Sequence, residues 1–123
     1  MSEPLAIYRP TLTEYFTDKD ANRYVFYTRN QVGIIYIHFE MLYVKKSFDG
    51  INVTIFTLPV GFRSYARCYT QPIVQAGKGP GQSNDFNISV NTRGVVTMWT
   101  ASSNYFTGDE ELGFDAHIIF PAA

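Results

Sequence analysis

The sequence predicts an all-β domain: an antiparallel β-sandwich or jelly-roll-like barrel of about seven or eight strands. Three observations carry this. Short runs rich in Val, Ile, Tyr and Phe alternate between two faces. Gly, Pro, Asn and Asp break those runs at short intervals. No segment of convincing length repeats with the period of a helix. The 123 residues suffice for one domain with a real core and fall short of two ordinary ones.

Residues 1–22 differ from the rest and read as a lead-in or neck that packs on the body or on a neighbouring subunit. Pro4, Pro10 and the Asp18-Lys19-Asp20 cluster interrupt any long periodicity. Leu5–Tyr8 has the makings of a short strand. A two-turn helix over Leu12–Lys19 competes weakly with an irregular lead-in. The opening Met1-Ser2-Glu3-Pro4 has no basic region and no apolar run, so no signal peptide is expected.

Residues 23–123 read as the sandwich itself. Tyr24–Arg29 is dense in β formers, and Asn30-Gln31-Val32-Gly33 follows as a turn. Ile34–Val44 is the longest apolar run. Period two puts Ile35, Ile37, Phe39, Met41 and Tyr43 on its core face, with Tyr36, His38 and Glu40 on the other. Eleven residues are long for one strand, so a bulge or bend is expected near Glu40. Lys45–Gly50 is a polar turn, and Ile51–Phe56 returns with Ile51, Val53 and Ile55 on one face.

Pro59 then removes a ladder donor and stops the strand, while Gly61 suits a tight turn. Tyr65–Thr70 and Ile73-Val74 read as the next strands. Gln75–Asp85 is a loop dense in breakers, without the spacing of a phosphate cradle. Phe86, Ile88 and Val90 alternate inward, and Thr92-Arg93-Gly94 turns the chain. Val95–Thr100 comes back with Trp99 beside Val95 and Thr97. Ala101–Leu112 is a second polar loop. Phe114, Ala116, Ile118 and Phe120 close the core and leave Asp115 and His117 on the other face.

Net charge is −1, so no electrostatic drive toward nucleic acid or an anionic membrane is visible. No run approaches the roughly 20 apolar residues of a spanning helix, and no membrane insertion is expected. The single Cys68 can form no intramolecular disulfide and has no base beside it, so a buried, inert thiol is expected. His38 with Glu40, and Asp115 with His117, each share a strand face, which is half of a metal site at most. No metal or other cofactor is expected. A nucleophile motif is absent, and Asp109, Glu110 and Glu111 cannot be set against an opposing carboxylate. A binding module is expected, rather than an enzyme.

Aromatics make up 16% of the chain, with nine Tyr and ten Phe. Strands favour them, and contact surfaces and sugar faces use them as well. Two stretches sharpen this. The strand entering Thr57-Leu58-Pro59-Val60-Gly61-Phe62-Arg63, and the hairpin Asn87-Ile88-Ser89-Val90-Asn91-Thr92-Arg93-Gly94-Val95-Val96, together resemble the C-terminal receptor-binding head domains of tailed-bacteriophage tail-fibre and baseplate proteins. The resemblance spans roughly residues 32–120. It implies a homotrimer at the tail tip or baseplate of a virion, in contact with other tail proteins. It also implies binding of saccharides or polysaccharides of a host cell wall. Trp99, His38, Arg63, Asp109 and Tyr105 are of the right chemical kind to line a saccharide site. A structural virion module without a ligand is the first alternative, and a polysaccharide hydrolase the second.

Overall fold

A computed structural model of the chain describes residues 6–17, 25–45, 48–49, 52–76, 86–99, 105–106 and 113–123. The protein is all-β. Two antiparallel sheets pack against each other as a sandwich, as the alternating runs predict. The strands are β1 (Phe16–Thr17), β2 (Val25–Arg29), β3 (Ile34–Val44), β4 (Phe48–Asp49), β5 (Asn52–Thr57), β6 (Cys68–Thr70), β7 (Ile73–Ala76), β8 (Asn87–Val90), β9 (Val95–Trp99), β10 (Tyr105–Phe106) and β11 (Gly113–Pro121). The first sheet runs β1-β3-β11-β7, with β2 on the same edge of β3 as β1; the second runs β5-β9-β8-β6. A small ribbon pairs β10 with β4. The described strands outnumber the seven or eight expected because β1, β4 and β10 are only two residues long.

The core lies between the sheets. Ile35, Ile37, Phe39, Phe114, Ile118 and Phe120 face it from one side. Ile55, Phe56, Phe86, Ile88, Val96 and Met98 face it from the other. Aromatic rings join the two layers, with Phe39–Phe56 centroids 6.0 Å apart and Phe86–Phe114 meeting edge to face at 5.4 Å.

The expected core face of β3 is right only as far as Phe39. Beyond it Leu42 and Val44 are buried, while Met41 and Tyr43 are half-buried. The cause is the bulge expected near Glu40. Phe39 pairs with Ala116 and Leu42 with Phe114, so Glu40 and Met41 together oppose Asp115. The extra residue shifts the phase of alternation by one. A second bulge in β5 lies between Thr54 and Phe56, so Ile55 and Phe56 are both buried; of the predicted face Val53 is half-buried and Ile51 lies outside the described residues. On β9 the core side is Val96 and Met98; on the opposite face Val95 and Trp99 are half-buried and Thr97 is buried, its hydroxyl 2.9 Å from that of Ser89. Cys68 is half-buried against the core rather than fully enclosed.

One other expectation is corrected, and the weaker alternative for the lead-in is set aside. The stretch 65–67 is not strand: the Ser64 hydroxyl donates to the Ala66 carbonyl at 2.5 Å and accepts the Ala66 N–H at 3.2 Å. This local loop competes with the ladder. Residues 12–15 are not helical. Thr13 donates its N–H to the Ile55 carbonyl, Phe16 enters the core, and Phe16–Thr17 pairs with β3. The described part of the lead-in thus packs on the body.

The two Asn-x-x-Gly turns are built alike. Asn30 and Asn91 each accept the N–H of their glycine and donate to the residue after it. Each side-chain carbonyl oxygen accepts two more backbone N–H groups, at 2.8–3.1 Å. Gly33 (φ 82°) and Gly94 (φ 80°) occupy the left-handed region that closes such hairpins. A Cβ on Gly33 would meet only the Arg29 guanidinium at 3.6 Å, whereas one on Gly94 would stand 2.7 Å from the Leu58 carbonyl oxygen. Gly33→Ala is therefore expected to cost about 1–2 kcal/mol from backbone strain alone. Gly94→Ala should cost about 2–4 kcal/mol, because the hairpin must also pull away from β5. Urea denaturation of both variants tests the order, and equal losses would refute it.

Candidate functional site

A groove of about 240 Å³ opens on the outer face of the first sheet. It lies below the range of about 300–1,000 Å³ typical of drug-sized ligand sites, which suits roughly one sugar ring. β3 and β11 form its floor, and the crossing from β6 to β7 forms one wall. Register builds it. Phe26, His38 and His117 form one row across β2, β3 and β11, and Thr28, Tyr36 and Ile119 form the next.

Along β3 the side chains make a polar line. The Tyr36 hydroxyl is 2.9 Å from His38 Nδ1, and His38 Nε2 is 3.4 Å from Glu40 Oε1. Phe26 stacks on the His38 imidazole at 4.8 Å and fixes its plane. Tyr36 stacks over His117 at 6.3 Å. The groove thus holds an aromatic face, imidazoles and an exposed carboxylate side by side.

The bulge aims this site. Met41 has φ 52°, a costly value for a residue with a Cβ. Asp115, the single residue opposite, accepts the Met41 N–H on Oδ1 at 2.8 Å and the Gln75 amide on Oδ2 at 3.0 Å. One carboxylate therefore satisfies the irregular backbone and joins β7 to the groove wall. Gln71 and Ile73 complete that wall.

The structure separates the residues expected to act together. His38 lines the groove. Arg63 lies in a different cleft, its Nε donating to the Leu58 carbonyl at 3.2 Å. Trp99 is half-buried on the outer face of the second sheet, between Asn52 and Asn87 in register. Arg63 packs against Gly94 at one end of β9 and Trp99 closes the other, roughly 13–16 Å of strand away. Tyr105 belongs to β10, and Asp109 lies outside the described residues. Among the described residues no group of three or more His, Cys, Asp and Glu could hold a metal ion.

Tyr36, Glu40, Asp115 and His117 each stood out in the sequence as members of two separate same-face pairs or patches. What joins them is the β3–β11 pairing, across about 75 residues of chain, which no local pattern encodes. Gln71 and Ile73 carried no signal of their own.

No protein family, curated protein or solved structure matches the chain.

Removing the Asp115 carboxylate should loosen the site before it loosens the fold. Asp115→Ala leaves the Met41 N–H without its acceptor and is expected to cost about 1–3 kcal/mol. Asp115→Asn keeps an acceptor oxygen and should cost less than half as much. Thermal and urea unfolding of the pair measure this, and equal costs would remove Asp115 from its bulge-holding role.

Proposed function

We propose that this chain is a receptor-binding head of a phage tail fibre or baseplate and that it recognises a saccharide of a host cell surface. The groove beside Tyr36 carries this reading. A sugar ring presents an apolar C–H face and a rim of hydroxyls, each both donor and acceptor. The Tyr36 ring offers the first a surface. His38, His117 and Gln71 offer donors, and Glu40 offers an acceptor for the second. The phage setting, on the virion, is drawn from the Thr57–Arg63 wording and the Asn87–Val96 hairpin.

The role is binding rather than cleavage. Glycoside hydrolysis needs two carboxylates free to act on opposite sides of one bond. Asp115 spends one oxygen on the Met41 backbone and the other on Gln75, which suits a scaffold acceptor.

A second reading, a structural virion module, is favoured by the apolar side chains on the same face. Ile119 is 59% exposed and pairs with Tyr36, and Ile73, 66% exposed, stands in the groove wall. We place the subunit contact of a homotrimer there. The two readings combine if the groove lies at a subunit boundary.

Wall polysaccharide purified from a host strain is the direct probe. The protein should bind it, and Tyr36→Ala and His117→Ala should each weaken binding about tenfold or more, the loss of one stacking or charge-type contact. Absence of binding to any host wall glycan at millimolar sugar would overturn the saccharide reading. Light scattering tests the assembly independently. A mass near three chains is expected, falling to one chain in Ile119→Glu; a wild-type monomer would remove the trimer.

A further inference from the structure

The net charge of −1 conceals an uneven distribution along the molecule. One end of the sandwich is built from three loops: the Asn30–Gly33 turn, the Leu58–Ser64 corner and the Asn91–Gly94 turn. The Leu58 N–H ties the corner to the Gly94 carbonyl, and the Arg29 guanidinium ties the first turn to the Gly61 carbonyl. Four arginines belong to this end. Arg29 precedes the first turn, Arg63 lies in the corner, and Arg93 is in the third loop. Arg67 precedes Cys68, which pairs with Val90 beside that loop. Arg29, Arg67 and Arg93 are exposed.

The described carboxylates stand elsewhere. Glu40 and Asp115 are at the bulge in mid-sheet, and Asp49 is in the ribbon that follows the far end of β3. Glu14 sits between Thr13, bonded to Ile55, and Tyr15, bonded to Lys45. With 11 residues, β3 runs roughly 35 Å. Salt screens charges over about 8 Å at physiological strength, so a surface meeting this end meets a basic patch whatever the total charge.

The same end exposes aliphatic side chains. Val32 and Val60 are each 81% exposed, the highest values among the described large hydrophobics. They adjoin Gly33 and Gly61, where a Cβ would lie 3.6 Å and 3.5 Å from the two Nη nitrogens of Arg29. Both valines therefore stand close to one guanidinium. Their backbones are already fixed. The Asn30 side chain accepts the Val32 N–H at 3.1 Å, and the Phe62 N–H closes the Pro59 turn at 3.1 Å. Little ordering remains to be done when such tips meet a partner.

Sugars and nucleic-acid bases stack on aromatic rings, and a β-branched aliphatic at the apex of a turn offers them none. The boundary between lipid headgroups and acyl chains suits both features. Aliphatic side chains enter its hydrocarbon edge, and arginines meet the phosphates above it. We propose that this end docks on an anionic lipid surface, with Val32 and Val60 at the acyl boundary and the surrounding arginines against the headgroups. The contact is with one leaflet and crosses no bilayer. It does not depend on the groove of the first sheet binding a sugar.

Co-sedimentation with vesicles of phosphatidylcholine, alone or with about 30% phosphatidylglycerol, tests it. The protein is expected to bind the anionic vesicles about tenfold more strongly than the neutral ones, and to leave them at about 0.5 M salt. Val32→Ser and Val60→Ser change exposed positions, so each should keep the wild-type melting temperature while lowering the partition coefficient about fivefold. Arg93→Gln should lower it about fivefold, the share of one basic residue at an anionic surface. Lys45→Gln, an exposed charge beyond the other end of β3, should change nothing. The emission of Val32→Trp should move to the blue on anionic vesicles, with Trp99 at the far end of β9 as an unshifted background. Equal binding to neutral and anionic vesicles, or valine variants that bind like the wild type, would overturn the proposal. Retention on immobilised heparin without any binding to vesicles would overturn it too.

Discussion

One short segment, Leu58–Ser64, ties the two sheets together at one end of the sandwich. Leu58 donates its N–H to the Gly94 carbonyl at 2.8 Å and so holds the β8–β9 hairpin. The Arg29 guanidinium, from the first sheet, donates to the Gly61 carbonyl. Ser64 bridges to Ala122, and Ala123 donates to the Arg63 carbonyl, which brings the end of β11 to the same place. Side-chain burial alone holds two sheets face to face without fixing their lateral alignment, because hydrophobic attraction has no direction. Hydrogen bonds do fix it. Pro59 frees the chain from the β5 ladder, and Gly61 (φ 96°) lets it turn back within the reach of Arg29.

The same tie explains why Arg63 is where it is. Its Nε answers the carbonyl of Leu58, the residue whose N–H is already spent on Gly94. A guanidinium used as a structural bracket in this way still has most of its donors left. The bulge on β3 follows a related logic. Its strained Met41 is tolerated because Asp115 satisfies the backbone there, and the phase shift keeps Leu42 and Val44 in the core while Glu40 remains outside.

Much of this fold was legible in the chain. The β11 pattern, the Phe86–Val90 alternation and both Asn-x-x-Gly turns are local, and period two with turn chemistry suffices to read them. The β3 bulge was legible from strand length. Its consequence was not, since the residue at which the phase flips depends on the partner strand's Asp115, far along the sequence. Trp99 illustrates the same limit. Its face was identified correctly as that of Val95 and Thr97, but alternation alone does not say which of two faces meets the other sheet. The half-sites on β3 and β11 were visible separately, and their meeting was not.

The aromatic load, the oddest feature of the composition, divides by chemistry. Phe16, Phe39, Phe56, Phe86, Phe114 and Phe120 are buried, whereas Tyr27 is the one buried tyrosine among the described residues. A phenol in the core needs a partner for its hydroxyl, so phenylalanine fills the interior and tyrosine is left for the surface. Tyr65 and Tyr69 are 73% and 63% exposed, more than packing of this sandwich asks of them. Tyr69 carries the Arg67 guanidinium over its ring at 5.6 Å. Rings kept outside while the core is already filled represent apolar surface that folding alone does not bury. That surplus is surface available for contact with another molecule.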